Sequence, residues 1–314
     1  MEKDSRIFVA GHRGLAGSAI CRTLESKGYK NLILRPHKEL DLTNQADVER
    51  FFYENRPEYV FLAAAKVGGI MANYTYPADF IYQNLAIEIN VIHFSYKYGV
   101  KKLLFLGSSC IYPRLAPQPL KEEYLLSGYL EPTNQAYAIA KIAGIMMCNS
   151  YNYQYKTNFL SVMPTNLYGP NDNFDLETSH VIPALIRKFV EAKERQDNKV
   201  TVWGTGNVRR EFLHSDDFAD ACIFLMENYD AKDVEPFINI GSGVDITIKE
   251  LAYLIADIVG FSGSIEFDTS KPDGTPQKLL DVSRINRLGW RYKISLEEGL
   301  RDTIKWFITH KNRL

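Results

Sequence analysis

The chain has 314 residues, a formal net charge of −1, a hydrophobic content of 46% and a charged content of 24%. This composition is typical of a folded globular protein and excludes a disordered chain. The near-neutral charge excludes a broad electrostatic attraction to nucleic acid or to an anionic membrane, and no apolar run approaches the ~20 residues of a membrane helix.

Short β-rich runs alternate with longer helical patterns through the first half of the chain. The predicted strands are Arg6–Ala10, Asn31–Arg35, Tyr59–Ala63, Lys102–Gly107 and Asn158–Met163. The predicted helices between them are Leu15–Lys27, Gln45–Glu54, Pro77–Tyr98 and Gln135–Tyr155. This alternation predicts an α/β fold with a Rossmann-type, doubly wound parallel sheet, whose ligands bind beyond the carboxyl ends of the strands.

The second half of the chain is less regular, and loops rich in Pro, Asn and Gly separate its shorter elements. Asp216–Glu227 and Pro236–Gly241 are predicted to be a helix and a strand that return to the sheet. We therefore predict a dinucleotide-binding domain and a smaller, discontinuous C-terminal α/β substrate domain. Their predicted ranges are 1–165 plus about 211–242 for the first, and about 166–210 plus 243–314 for the second.

A glycine-rich loop follows the first predicted strand and opens the first predicted helix. Its residues are Gly11, His12, Arg13, Gly14, Leu15, Ala16 and Gly17. Glycines let the backbone turn sharply and approach a pyrophosphate, whose negative charge is favoured at a helix N-terminus. The position of this loop between a strand and a helix predicts a dinucleotide site.

Cofactor choice is predicted from the end of the second strand. An NAD site carries an acidic residue there to bind the ribose hydroxyls, whereas this chain has Arg35, His37 and Lys38. These cations, together with Arg13, favour the 2′-phosphate of NADP(H). Asp41 and Leu42 are then expected near the adenine.

Tyr137 and Lys141 lie four residues apart on a predicted helix, which places both side chains on one face. A phenol is a poor acid–base catalyst near neutral pH, and a nearby ammonium is expected to lower its pKa. Ser108, at the end of an earlier strand, can polarise a substrate carbonyl beside Tyr137. Tyr98 and Lys102 have the same spacing but straddle Gly99 and enter a strand, so they cannot share a helix face.

Longer strings carry a more specific similarity. They are Gly11–Gly17, Ala63–Ile70, Leu106–Pro113, Glu131–Asn134, Tyr137–Lys141, Met163–Pro170, Ser179–Pro183, Lys271–Pro276 and Leu280–Asp281. Through them essentially the whole chain resembles the GDP-L-fucose synthase family of extended short-chain dehydrogenases. The resemblance implies NADPH-dependent conversion of GDP-4-keto-6-deoxy-D-mannose to GDP-L-fucose, by epimerisation at C-3 and C-5 followed by reduction at C-4.

The resemblance also implies roles for individual residues. Cys110 and His180 match the family's acid–base pair for epimerisation, a thiol and an imidazole that titrate near neutrality. The cofactor site gains Leu106, Gly107, Ser108, Ser109, Tyr137, Lys141, Pro164, Thr165, Asn166, Leu167 and His180. The family's GDP-sugar contacts match Lys188, Trp203, Arg210 and Asp273, with Lys278 and Arg209 as further phosphate candidates.

Three departures from the family pattern are visible. His37 stands where family members commonly carry Arg, which is expected to weaken binding of the 2′-phosphate and make it sensitive to pH. Lys188 stands where Arg is also found, giving a point charge in place of a planar fork. Gln135 and Ala136 replace a Glu-Pro pair, with no expected catalytic effect.

Alternative functions remain open at this point. A 4,6-dehydratase is disfavoured because no carboxylate follows Ser108 before Pro113. A reductase that acts only at C-4 of a related GDP-4-keto deoxyhexose or heptose keeps the same fold and cofactor. A non-enzymatic NADP(H) sensor is disfavoured because such proteins tend to lack the catalytic Tyr and Lys.

Localisation and partners are also predicted. The charged segment Met1–Arg6 is not expected to act as a signal peptide. Cys21, Cys110, Cys148 and Cys222 show no disulfide or metal-binding spacing. A cytoplasmic protein with reduced thiols and no metal site is expected. The resemblance further implies a homodimer that pairs the helices Pro77–Tyr98 and Gln135–Tyr155.

Overall fold

The computed structural model describes residues 1–271 and 273–313, so Pro272 of the Lys271–Pro276 string and Leu314 lie outside the described residues. The strands are β1 Ile7–Ala10, β2 Leu32–Ile33, β3 Tyr59–Leu62, β4 Lys102–Leu106, β5 Phe159–Pro164, β6 Asn166–Tyr168, β7 Lys199–Trp203, β8 Arg209–His214, β9 Ile238–Ile240, β10 Asp245–Thr247, β11 Ser264–Asp268 and β12 Gln277–Lys278. The helices are α1 Leu15–Ser26, α2 Gln45–Asn55, α3 Ile70–Thr75, α4 Pro77–Lys97, α5 Gln135–Tyr155, α6 Val181–Arg195, α7 Ser215–Asn228, α8 Ala231–Val234, α9 Ile248–Val259, α10 Ser283–Arg287 and α11 Leu296–His310. In the part of the chain described, no helix combines the length and the apolar character needed to cross a membrane.

A six-stranded parallel sheet forms the larger lobe, with the strand order β2-β1-β3-β4-β5-β9. Successive residues of β1 point to opposite faces. Ile7 and Val9 pack in a core with α1 and α7, and Phe8 and Ala10 pack in a second core with α2, α4 and α5. The predicted doubly wound parallel sheet is therefore confirmed, with helices on both faces.

The strand order reverses between β1 and β3, and this point fixes the position of the site. β2 lies on one side of β1, whereas β3, β4 and β5 follow on the other side. Loops at the carboxyl ends of β1 and β3 diverge at such a reversal and leave a crevice for a ligand. The glycine loop follows β1, and the segment that begins at Ala63 follows β3.

The smaller lobe contains a second sheet in which β8 pairs with β10, β12 and β6. The boundary predicted near residue 211 falls inside β8. Among the described strands, β8 bonds only to strands of the smaller sheet, whereas α7, which follows it, packs into the core around β1. Ile285 of α10 is buried with Ile238 in the core of the larger lobe.

Candidate active site

The glycine loop has the geometry of a pyrophosphate cradle. Gly11 has φ of +82°, a left-handed conformation that favours glycine. A Cβ on Gly11 would lie 2.7 Å from the Ala64 nitrogen, and a Cβ on Gly17 would collide with the Gly11 carbonyl. Gly14 caps α1 without a side chain, and the first turn, which holds Leu15, carries no acidic residue. The N–H groups that begin α1, around Leu15 and Ala16, are therefore open to an anion.

Cations follow the two adjacent parallel strands β1 and β2. Arg13 is exposed beside His12, and burial lowers the pKa of the His12 imidazole, with the charge of Arg13 adding to the effect. Arg35 follows β2, where its Nη1 donates to the Leu34 carbonyl at 3.0 Å and its Nη2 to Asn55 Oδ1 at 3.3 Å. These cations can reach the adenosine end of a dinucleotide held at the N-terminus of α1.

The segment after Arg35 mixes opposite charges. His37 is exposed, and its Nδ1 lies 3.9 Å from Asp41 Oδ1. The Asp41 carboxylate accepts hydrogen bonds from the Thr43 hydroxyl and backbone nitrogen, which hold its pKa below the usual range. The Leu42 carbonyl accepts a bond from Asn90 Nδ2 at 2.9 Å. His37 thus lies beside an acidic side chain at the predicted position of the 2′-phosphate.

Helix α5 presents Tyr137 and Lys141 on one face. The Lys141 Nζ lies 5.8 Å from the centre of the Tyr137 ring and donates a 3.0 Å hydrogen bond to the Leu106 carbonyl at the end of β4. Lys141 is also paired with Glu88 of α4, with 3.2 Å between Nζ and Oε1. The Lys141 ammonium is therefore held between the sheet and α4, next to the Tyr137 ring.

The pKa of the Tyr137 phenol is raised well above its usual value, contrary to the expectation that Lys141 would lower it. Burial is the main cause; Cys110 and Glu88 act in the same direction, and a hydrogen bond with Ser108 opposes them. The physical reason is that burial penalises a phenolate, and the negative charge of Glu88 beside Lys141 adds to this penalty. Tyr137 therefore keeps its proton near neutral pH and can donate it.

Cys110, His180 and Lys278 come from three separate segments. Cys110 is buried in the short 3₁₀-helix Ser109–Ile111, where its N–H donates to Ser108 Oγ at 3.4 Å. Burial raises the pKa of the Cys110 thiol, and the nearby Lys278 ammonium opposes this. His180 is open to solvent on one side, but loss of hydration where its imidazole meets the protein lowers the pKa of the ring, and Lys278 adds to the effect. Near neutral pH the pair is thus a thiol and a neutral imidazole, which is one proton donor and one proton acceptor.

The remaining predicted cofactor residues lie at or just after the ends of β4 and β5. The Gly107 N–H donates to the Val162 carbonyl at 2.8 Å, and Ser109 is buried next to it. Pro164 ends β5, the Thr165 hydroxyl and the Asn166 amide both donate to the Glu211 carbonyl, and Leu167 continues β6. These residues follow the carboxyl ends of β4 and β5, the edge of a parallel sheet where ligands bind.

The proposed GDP-sugar residues gather on the smaller lobe. Trp203 is 48% exposed, and the Lys188 Nζ lies 5.1 Å from its ring centre. The Arg210 Nη2 approaches the Asp273 carbonyl at 3.4 Å, and Lys278 pairs in register with Arg210. The Asp273 carboxylate accepts bonds from the Thr205 N–H and hydroxyl, both at 2.8 Å. Asp273 therefore organises the loop that follows Trp203.

The second Tyr-x-x-x-Lys pair, Tyr98 and Lys102, makes two unrelated sets of contacts. The Tyr98 hydroxyl donates to Glu49 at 3.1 Å. Lys102 donates to the carbonyl groups of Met226 and Tyr229 and pairs with Asp230. The pair is structural, as the interruption at Gly99 predicted.

Two buried residues around the site were missed by sequence reasoning. The Asn84 Oδ1 accepts from the Lys66 N–H, and its Nδ2 donates to the Lys66 carbonyl, which fixes the loop after β3. Glu88 pairs with Lys141, as described above. The sequence did contain a signal for Glu88. It is a charged residue inside the apolar run Ile87–Ile92 of a helix expected to be buried, and a buried charge usually needs a partner.

Comparison with known proteins relates nearly the whole chain to one family. Residues 7–241 match the model of the NAD dependent epimerase/dehydratase family. The chain is 59% identical over 307 residues to GDP-L-fucose synthase 1 of Arabidopsis thaliana, covering 98% of this chain and 94% of that protein. It is 57% identical over 314 residues to GDP-L-fucose synthase of Escherichia coli strain K12, covering 98% of each. A solved structure of a GDP-mannoheptose C4 reductase from Campylobacter jejuni with NADP bound matches at a TM-score of 0.91 and 47% identity, covering 98% of this chain and 99% of that chain.

Proposed function

The chain belongs to the NAD dependent epimerase/dehydratase family, and on this premise we propose that it converts GDP-4-keto-6-deoxy-D-mannose to GDP-L-fucose with NADPH. The full-length similarity to GDP-L-fucose synthases agrees with the resemblance seen in the sequence. The observation that carries the proposal is the placement of two chemistries in one site. Tyr137 and Ser108 are placed to reduce a carbonyl. Cys110 lies close enough to Tyr137 to raise the pKa of its phenol. The charge of Lys278 lowers the pKa of both Cys110 and His180, which places these two groups near the same ammonium.

Epimerisation uses the acidity of the carbons beside the ketone. The C-4 carbonyl acidifies the protons on C-3 and C-5, and hydrogen bonds from Tyr137 and Ser108 to its oxygen stabilise the enolate that forms. Inversion needs a base on one face of the ring and an acid on the other. Cys110 and His180 supply one donor and one acceptor because the thiol is protonated and the imidazole neutral near neutral pH.

Reduction completes the conversion at C-4. The cofactor NADPH supplies the hydride when it is bound. Tyr137 donates its proton to the C-4 oxygen, and Ser108 holds that oxygen in place. The raised pKa of the phenol suits this direction of reaction because Tyr137 stays protonated until the alkoxide develops.

The test of the proposed function is turnover in D₂O. With the GDP-4-keto sugar and NADPH, the expected product is GDP-L-fucose with deuterium at both C-3 and C-5. A product that is reduced at C-4 without deuterium at either carbon would instead identify a C-4 reductase. That alternative draws on the GDP-mannoheptose C4 reductase, which at 47% identity is more distant than the GDP-L-fucose synthases at 57% and 59%.

The substrate nucleotide is proposed to lie on the smaller lobe. Trp203 offers an exposed aromatic face for the guanine, with Lys188 alongside. Arg210 and Lys278 come from adjacent strands of the same sheet, β8 and β12, so both cations can face the diphosphate. Asp273 holds the connecting loop, and the sugar then extends toward Tyr137.

The cofactor proposal makes a prediction about Arg35. Arg35→Ala is expected to raise the KM for NADPH about 10-fold to 100-fold, because a hydrogen bond to a charged group contributes about 1.5–3 kcal/mol. The KM for NADH, which lacks the 2′-phosphate, should change by less than about twofold on the same reasoning. Initial rates with each cofactor measure this. Arg50→Ala is the control, since Arg50 pairs with Asp47 within α2, and equal effects on both cofactors in Arg35→Ala would contradict the proposal.

A homodimer is proposed from the outer surface of α4 and α5. These helices pack against each other, and each exposes hydrophobic side chains seven residues apart: Tyr82 and Ile89 on α4, and Ile139, Met146 and Tyr153 on α5. Seven-residue spacing keeps side chains on one helix face. A second copy of this surface would bury both stripes in a four-helix interface.

The dimer is tested with a charge in the middle of this surface. Met146→Glu is expected to weaken dimerisation at least about 100-fold, because an unpaired buried charge costs about 3–5 kcal/mol. Sedimentation or light scattering reports the change as a halved mass. Tyr253→Glu is the control, since Tyr253 is similarly exposed on α9, away from this surface. A wild-type protein that is monomeric at micromolar concentration would refute the dimer.

The protein is further proposed to act in the cytoplasm. All four cysteines are free and buried, which suits a reducing compartment.

A further inference from the structure

Glu88 is a carboxylate in an otherwise apolar part of α4. It is 2% exposed, and burial raises its pKa to about 7 even though Lys141 pulls the pKa down. Its only ionic partner among the described residues is Lys141, and neither carboxylate oxygen accepts a hydrogen bond of good geometry from any other described group. A buried carboxylate with so few partners destabilises the fold. Its retention beside Lys141 therefore points to a role for the contact with Lys141.

Lys141 is equally buried and has few partners. An ammonium has three N–H donors. One is bonded to the Leu106 carbonyl at 3.0 Å, and the Glu88 carboxylate lies 3.2 Å away. One donor is thus bonded to β4, and the Glu88 carboxylate on α4 faces the ammonium as an ion pair.

The helix opposite Glu88 is shaped to receive the carboxylate. Gly144 lies in the middle of α5, where glycine is less stable than alanine. A Cβ at Gly144 would lie 2.9 Å from Glu88 Oε2 and would also collide with the Phe105 ring. The space beside Gly144 is therefore needed to seat the Glu88 carboxylate against Lys141.

The titratable groups that face Glu88 are all on α5. They are Lys141, the Tyr137 phenol and the Cys148 thiol, and the charge of Glu88 raises the pKa of the last two. The other helices packed on α4 contribute none nearby. α2 meets α4 at its far end, where Glu49 pairs with Lys97, and α3 carries no charged side chain.

We propose that Glu88 is a positioning residue of the reductase site: its buried carboxylate fixes the Lys141 ammonium against β4 and sets how strongly that positive charge acts on the Tyr137 phenol. The proposal rests on the proposed function, because it assumes reduction through Tyr137. A negative charge near Tyr137 favours the protonated phenol. Glu88 therefore extends the pH range over which Tyr137 keeps the proton that reduction requires.

The test is the pH dependence of NADPH-dependent reduction in Glu88→Gln. Glutamine keeps the shape and an acceptor oxygen but removes the charge. The Tyr137 phenol then loses its proton more easily, so the alkaline limb of the kcat profile should move to lower pH by about one unit, as expected for loss of a nearby negative charge. The KM for the GDP sugar should stay within about twofold, because Glu88 does not touch the nucleotide. An unchanged profile in folded, active Glu88→Gln would overturn the proposal.

Two further variants separate this role from packing. Glu122→Gln is the matched control, because Glu122 is also buried with a pKa raised by burial but bonds to the Asn239 N–H, away from α5. Its alkaline limb should match that of the wild type. Glu88→Asp keeps the negative charge but shortens the side chain by one methylene group, which moves the carboxylate away from Lys141. The alkaline limb of its kcat profile should therefore stay near the wild-type position, while kcat falls several-fold because Lys141 is held less firmly.

The outcomes also distinguish this proposal from the proposed function. A Glu88→Asp enzyme with wild-type kcat would contradict the positioning role even if Glu88→Gln did not fold. Wild-type protein that does not oxidise NADPH with the GDP-4-keto sugar would refute the proposed function itself. Normal wild-type turnover with coincident profiles for Glu88→Gln and Glu122→Gln would refute the role of Glu88 alone.

Discussion

Tyr137→Phe is expected to reduce kcat for NADPH oxidation with the GDP-4-keto sugar by a factor of about 10² to 10⁴, the range for loss of a positioned general acid. The phenol is the group placed beside Ser108 with its pKa raised by burial, so it carries the proton that the C-4 oxygen must receive. Phenylalanine keeps the ring and its edge contact with Phe80. The KM for the sugar should therefore change much less than kcat.

The matched control for this variant is Tyr98→Phe. Tyr98 begins the other Tyr-x-x-x-Lys string, but its hydroxyl donates to Glu49 at the edge of the larger lobe. This variant should keep wild-type kcat. A Tyr137→Phe enzyme that retains more than about a tenth of wild-type kcat would show that another group supplies the proton, because removal of a general acid costs at least about 100-fold.

Cys110→Ala is expected to lower the rate of deuterium incorporation at C-3 and C-5 by a factor of about 10² to 10⁴, because it removes one member of the acid–base pair. The thiol is buried beside Ser108, and the charge of Lys278 lowers its pKa, as it also lowers the pKa of His180. Alanine deletes only the sulfur and leaves Tyr137, Ser108 and Lys141 in place. Any NADPH oxidation that remains should therefore yield a sugar reduced at C-4 without inversion at the neighbouring carbons.

The measurement is mass and NMR analysis of the product formed in D₂O. Cys222→Ala is the control, since Cys222 is a fully buried thiol in α7, in the core of the larger lobe. His180→Asn should show the same loss of deuterium as Cys110→Ala if the two act as a pair. Full deuterium incorporation by Cys110→Ala would assign the proton transfers to other groups and leave the thiol a structural role.

Much of the larger lobe could be predicted because its pattern is local. Each predicted strand and helix of the first half was found, with ends shifted by a few residues; the second strand shortened most, to Leu32–Ile33. The glycine loop and the Tyr137–Lys141 spacing are equally local, since four residues on a helix share a face whatever surrounds them. Local patterns along the chain were therefore enough to predict the doubly wound sheet, the family and the groups available for chemistry.

Interactions between residues that are distant along the chain could be found only from the folded structure. β8 joins the smaller sheet through strands that lie before and after it in the chain, and β12 contributes only two residues to that sheet, too few for a periodic pattern. Glu88 is far from Lys141 in the chain, yet it holds that ammonium and, together with burial, reverses the expected direction of the Tyr137 pKa shift. Burial and charge pairing depend on which surfaces meet after folding, and no local spacing in the sequence records that.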